Sequence, residues 1–152
     1  MSVTGVKDLR ADAGAMLARR VFTVAGWYGL VTLVPLYFME NRVGRDFPPL
    51  ITHPEHYYGF VGVALAWQVL FLIMARNPVR YRLAMIPATL EKLSWSAACV
   101  ALYVQGRLSS TVLGTGLLDL IFAVLFVASY RAIGGAERKE SGSGSLPVWR
   151  GR

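Results

Sequence analysis

The chain reads as an all-α, four-helix transmembrane bundle, up-down-up-down, with both termini in the cytoplasm. Three observations carry this. First, 55% of its 152 residues are apolar, above the ~45–50% of an ordinary soluble domain. Second, these residues fall in four long runs, 21–39, 57–75, 83–104 and 108–130, of 19, 19, 22 and 23 residues. At ~1.5 Å per residue each run covers a ~30 Å hydrocarbon core, and helices satisfy every backbone group in lipid. Third, the basic residues alternate along the chain. Lys7, Arg10, Arg19 and Arg20 precede the first run, Arg76, Arg80 and Arg82 follow the second, and Arg131, Arg138, Lys139, Arg150 and Arg152 follow the fourth. The opposite side has Arg42, Arg45 and Arg107. Cytoplasmic loops carry the excess of Lys and Arg, which places both ends inside. The formal charge of +7 is therefore mainly a topology signal, with some affinity for anionic headgroups. A nucleic-acid partner is not expected.

Residues 1–20 form a basic cytoplasmic arm. Val6, Leu9, Ala13, Met16 and Leu17 recur at helical spacing, the pattern of an amphipathic helix lying on a membrane surface. The first span is too long for the apolar core of a cleaved signal peptide, and Glu40-Asn41-Arg42 follows it where small residues would mark cleavage. Pro35 is expected to kink it or end it early. The connection at 40–52 carries Pro48-Pro49 and should pack over the mouth of the bundle. His53-Pro54-Glu55 predicts the start of the second span, because proline suits the first helical position and an acid the first turn.

Pro78 stops the second span, and Gln105-Gly106-Arg107 makes a tight turn before the fourth. Such short links predict that the second, third and fourth spans are antiparallel neighbours. Gly59 and Gly62 suggest close helix contact on the second. From Gly134 onward the composition turns polar, and 134–152 reads as a disordered tail. The spans together make one domain, 21–133.

Glu91 and Lys92 lie in the third span and Asp119 in the fourth. A charge at bilayer depth costs ~2.5–3.5 kcal/mol on insertion scales and normally faces a protein interior or a wet cavity. Counting residues from the span ends puts Glu91 and Lys92 ~12–14 Å deep and Asp119 ~16 Å deep, near the level of Gln68 and Thr32. If Pro87 instead begins the third helix, Glu91 and Lys92 are only ~6–8 Å deep, and Lys92 can reach the headgroups.

Asp119 shares a four-residue spacing with Thr111, Thr115 and Ala123, a small, polar stripe of the kind that packs against other helices. The third span offers two faces, Glu91–Ser94–Trp95–Ala98 and Lys92–Ser96–Cys99–Tyr103, and the sequence does not choose between them. The expected chemistry is a Lys92–Asp119 ion pair, with Glu91 left over to bond Gln68 or Tyr28. The candidate catalytic residues are Glu91, Asp119 and Lys92; the candidate substrate-binding residues are Gln68, Tyr28, Thr32 and Trp95. A buried carboxyl can serve as an acid, a base or a proton site. The same layer can equally be a lock that fixes helix pairing.

His53 and His56 stand three apart at the start of the second span, a spacing that permits a metal or tetrapyrrole ligand, with Asp46 near enough to join. Surface histidines at a helix start more often cap or hydrate, so neither a metal nor a cofactor is expected. Cys99 is the single cysteine, which excludes an intrachain disulfide and CxxC chemistry. No phosphate loop, serine-nucleophile motif or zincin motif occurs.

Leu90-Glu91-Lys92-Leu93 and Leu117-Leu118-Asp119-Leu120, set in a layout over roughly residues 20 to 132, resemble the small four-helix bacterial membrane proteins of the DoxX-like group. The resemblance lies in architecture. It implies a multi-pass protein of the bacterial inner membrane; some members of the group are linked to quinone-coupled redox complexes. Arginine supplies 13 of the 16 basic residues, in keeping with a GC-rich bacterial source. The expected function is an accessory or binding subunit that associates with membrane lipid, a larger membrane complex or a second copy of itself. The alternative is a small membrane enzyme or proton-linked carrier for a lipid or quinone, with Glu91 as the titrating group.

Overall fold

A computed structural model describes the backbone of residues 3–141 and the side chains of residues 12–134. The described chain is helical: α1 Val3–Leu33, α2 Glu40–Asp46, α3 Pro54–Arg76, α4 Met85–Val104 and α5 Ser110–Ser141. The arm and the first span are one continuous helix, and α5 runs past the predicted end of the domain. The side chains of residues 1–11, which carry much of the amphipathic pattern, and residues 142–152 of the tail lie outside the described residues.

Local chemistry sets the helix ends. A proline ring lacks the backbone donor that an α-helix interior needs, and α1 gives way to a 3₁₀ turn, Val34–Phe38, that contains Pro35. Pro54 opens α3 and Glu55 occupies its first turn. Gly106, at φ +69°, closes α4. Its amide donates to the Tyr103 carbonyl and the Arg107 amide to that of Leu102, both at 2.9 Å. This pairing uses the left-handed conformation that glycine adopts without strain. Ser109 then caps α5, its hydroxyl accepting from the Val112 amide at 3.4 Å. The loop before α4 is tied to α5 by Arg82, whose Nε donates to the Tyr130 carbonyl at 3.2 Å. Its guanidinium also lies 4.2 Å from the centre of the Tyr130 ring. The 40–52 connection contains α2, held to α3 by the Tyr58 hydroxyl, which donates to Glu40 at 2.9 Å.

Three helical stretches, Asp12–Phe38, Pro54–Arg76 and Ser110–Gly134, are long and apolar enough to cross a membrane. In the 18-residue apolar stretch of each, only 28%, 33% and 22% is buried in the bundle, so most of that surface faces outward, as in lipid rather than water. The fourth long helix, α4, has 20 residues, ~30 Å of helix, but Glu91 and Lys92 dilute its hydropathy.

The helices pack in the order α3–α1–α5–α4. In a bilayer, where the hydrophobic effect does not drive helices together, small residues let backbones approach and gain dispersion contacts. Gly26 and Gly29 of α1 meet Leu72 and Gln68 of α3, Gly14 meets Ala132 of α5, and Gly116 of α5 meets Cys99 of α4. One end of the core is aromatic. Phe22 stacks on Phe126 with centroids 4.2 Å apart, and Phe71 meets Phe126 edge-on at 5.1 Å.

The α3–α4 pair differs. These helices were expected to be close neighbours, yet their backbones do not approach closely. A Cβ added at Gly59 would meet nothing within 4 Å beyond its own helix backbone, and one at Gly62 would face the Tyr37 hydroxyl rather than another long helix. Large rings stand between the two helices instead: Phe60 of α3 and Trp95 of α4 have centroids 5.8 Å apart. Bulky side chains hold the seam apart, and a groove runs along it.

Candidate functional site

The polar residues of the predicted layer separate onto two different faces of α4. Residues adjacent in sequence lie ~100° apart on a helix, so Glu91 and Lys92 part company. Lys92, Ser96 and Cys99 face α5 and are buried; Glu91, Ser94, Trp95 and Ala98 face α3 and line the groove.

On the α5 side lies a closed seam. Lys92 Nζ donates to Asp119 Oδ2 at 3.2 Å, the pair expected from the sequence. Lys92 is 5% and Asp119 9% exposed, so the ammonium is held inside the bundle. One turn along, the Ser96 hydroxyl lies 2.8 Å from its own helix's Lys92 carbonyl and 2.8 Å from the Gly116 carbonyl across the seam. The ammonium also lies 5.5 Å from the centre of the Phe71 ring, within cation–π range. The inward stripe of α5 runs through Gly116, Asp119, Phe122 and Ala123; Thr111 and Thr115 are exposed. Thr115 bonds its own backbone at Val112, 2.7 Å away.

On the α3 side lies an open groove of about 240 Å³. Phe60, Val63, Ala64 and Trp67 form one wall; Glu91, Ser94, Trp95 and Ala98 form the other. Glu91 links the two sites. Its Oε2 lies 3.4 Å from Lys92 Nζ, within ion-pairing distance, but outside hydrogen-bonding geometry, and that buried oxygen accepts no hydrogen bond. Two carboxyl groups thus flank one ammonium. Asp119 takes its hydrogen bond, and Glu91 is left with an open acceptor beside an apolar groove.

The remaining predicted residues are not gathered around Glu91. Gln68 is buried and its amide donates to the Ala64 carbonyl at 3.0 Å. Its Oε1 has no hydrogen-bond partner and packs against Gly29. Tyr28 packs on Phe122, with centroids 5.7 Å apart. Thr32 is exposed and bonds its own helix at Tyr28, 2.9 Å away. His53 and His56 flank Glu55 at the exposed start of α3, whereas Asp46 pairs with Arg42 at 3.3 Å.

The α3 wall was missed in the sequence. Its signal was there in the three- and four-residue spacing of Phe60, Val63, Ala64 and Trp67, which reads equally as a lipid-facing stripe. Gly116 was missed because a lone glycine does not reveal which helix it meets. No family model matches this chain, and no curated protein and no solved structure matches it.

Proposed function

We propose that this chain is a four-span protein of the bacterial inner membrane, of the DoxX-like kind, with both termini cytoplasmic, that binds lipid from the side through the α3–α4 groove. The observation that supports this best is the groove itself: an apolar, aromatic-walled cleft with one carboxyl group in it. Its volume, about 240 Å³, falls below the ~300–1,000 Å³ of pockets that enclose a small molecule. It suits one chain or ring of a lipid laid against the bundle. Glu91 would accept a hydrogen bond from a hydroxyl or ammonium group on that lipid. The Lys92–Asp119 seam holds α4 in place to form the wall. The antiparallel packing of α4 on α5 and the distribution of Lys and Arg favour four spans with both ends inside.

Native mass spectrometry after extraction in mild detergent tests the reading. Wild type is expected to retain lipid. Ala98→Trp, which fills the groove from an exposed position, is expected to lose most of it without a change in helicity. Equal lipid retention by the two proteins would sink the proposal.

A second reading follows from the unbonded Glu91 oxygen: a membrane enzyme or proton-linked carrier for a lipid or quinone, in which Glu91 moves a proton. Glu91→Gln separates the two. A pure binding role predicts weakened retention of lipids that carry a donor group. A carrier or enzyme predicts lipid retention with proton movement or turnover abolished.

A further inference from the structure

The first turn of α3 carries a cluster that the groove does not use. We propose that His53, Glu55 and His56 form a Zn²⁺ site at this end of the bundle. The local sequence builds it. Pro54 fixes the first helical position, so His53 stands just outside the helix and His56 three residues on, on the same side. Glu55 falls between them. Its Oε1 lies 3.1 Å from His53 Nδ1 and 3.7 Å from His56 Nδ1, and the ring centroids are 5.4 Å apart.

One ligand atom from each residue can be chosen so that all lie within 4.8 Å of one another. Tetrahedral zinc with ~2.0–2.1 Å bonds sets its ligands ~3.3 Å apart, so only a modest contraction is needed. The three side chains are 69%, 66% and 81% exposed; they can rotate onto an ion without disturbing packing. Two imidazoles and one carboxylate favour zinc over magnesium or calcium, which take oxygen ligands. Glu55 also offsets the positive end of the helix dipole, which would otherwise oppose a cation. Three protein ligands leave a fourth position for water or an incoming anion, as in open zinc sites. His56 is four residues before Phe60, so the ion would sit about one turn from the end of the groove.

Calorimetric titration of ZnCl₂ into the full, tag-free chain in detergent, near neutral pH, tests the site. The expected result is about one Zn²⁺ per chain, undisturbed by excess MgCl₂. Glu55→Gln is expected to weaken binding by roughly tenfold or more, and the double variant His53→Ala/His56→Ala to abolish it. All three side chains are exposed, and circular dichroism checks that the variants fold. Cys99 is 1% exposed and does not compete for the ion. Absence of zinc binding by wild type, or binding by the double variant at wild-type affinity, overturns the proposal. Wild-type affinity in Glu55→Gln overturns the three-ligand assignment.

Discussion

Lys92→Met is expected to destabilise the bundle by ~3–5 kcal/mol, the cost of removing one partner from a buried ion pair. Methionine keeps the length of the side chain and can occupy the same space beside Phe71, so the loss comes from charge rather than volume. It strands Asp119, 9% exposed, and leaves Glu91 with no cation nearby. Asp119→Asn should cost less, because the asparagine oxygen still accepts from Lys92 and the ammonium keeps Glu91 3.4 Å away. The double variant Lys92→Met/Asp119→Leu should recover the part of the loss that comes from Asp119, since an apolar pair leaves no charge stranded in the seam and only Glu91, at the groove, still lacks its cation. Unfolding in a graded series of denaturing detergent measures all three. If the double variant is no more stable than Lys92→Met alone, the seam is not held by the pair.

The pair was legible in the sequence because charge in a membrane span is scarce and expensive. Two opposite charges at similar depth on neighbouring helices have few other places to go. Helix ends were legible from local backbone chemistry: Pro35, Pro54 and Pro78 restrict the backbone, and Gly106 admits the left-handed turn that other residues avoid. The inner face of α5 was harder to read. Thr115 and Gly116 are both small, and spacing alone could not tell which of them meets α4. Threonine can satisfy its hydroxyl on its own helix, as Thr115 does at 2.7 Å, and need not face inward.

The groove was illegible for a different reason. Seam width depends on what both helices present at the same level, and that is a tertiary property. The chain links α3 and α4 by a short loop and so suggested a tight pair. Phe60 and Trp95, far apart in sequence, meet across that seam and hold it open. Once the width is known, the two faces of α4 sort themselves. Lys92 takes the closed side with Ser96 and Cys99, and Glu91 the open side with Trp95. A lock and a pocket were rival readings of one polar layer; in the folded chain a closed seam and an open groove lie side by side, with one ammonium near both carboxyl groups.

Gly116→Ala is expected to open the α4–α5 seam, at a cost of ~1–3 kcal/mol from overpacking. A Cβ at this position would lie 2.6 Å from Cys99 Cβ and 2.8 Å from its sulfur. The sulfur can turn about χ1, but the Cβ is fixed by the backbone, so the helices themselves must separate. Separation would stretch the bond from Ser96 to the Gly116 carbonyl, 2.8 Å in wild type, and loosen the Lys92–Asp119 pair one turn away. Cys99→Gly removes the opposing Cβ. Alone it should destabilise α4 by ~1–2 kcal/mol, mostly through the lost contacts of the buried thiol and partly through backbone entropy; combined with Gly116→Ala it should restore close approach. The two changes are therefore expected to be strongly non-additive in a double-mutant cycle. A maleimide gives a second readout: Cys99, 1% exposed in wild type, should react faster in Gly116→Ala. Additive stabilities together with unchanged labelling would mean that the seam tolerates the methyl group and that Gly116 does not set its width.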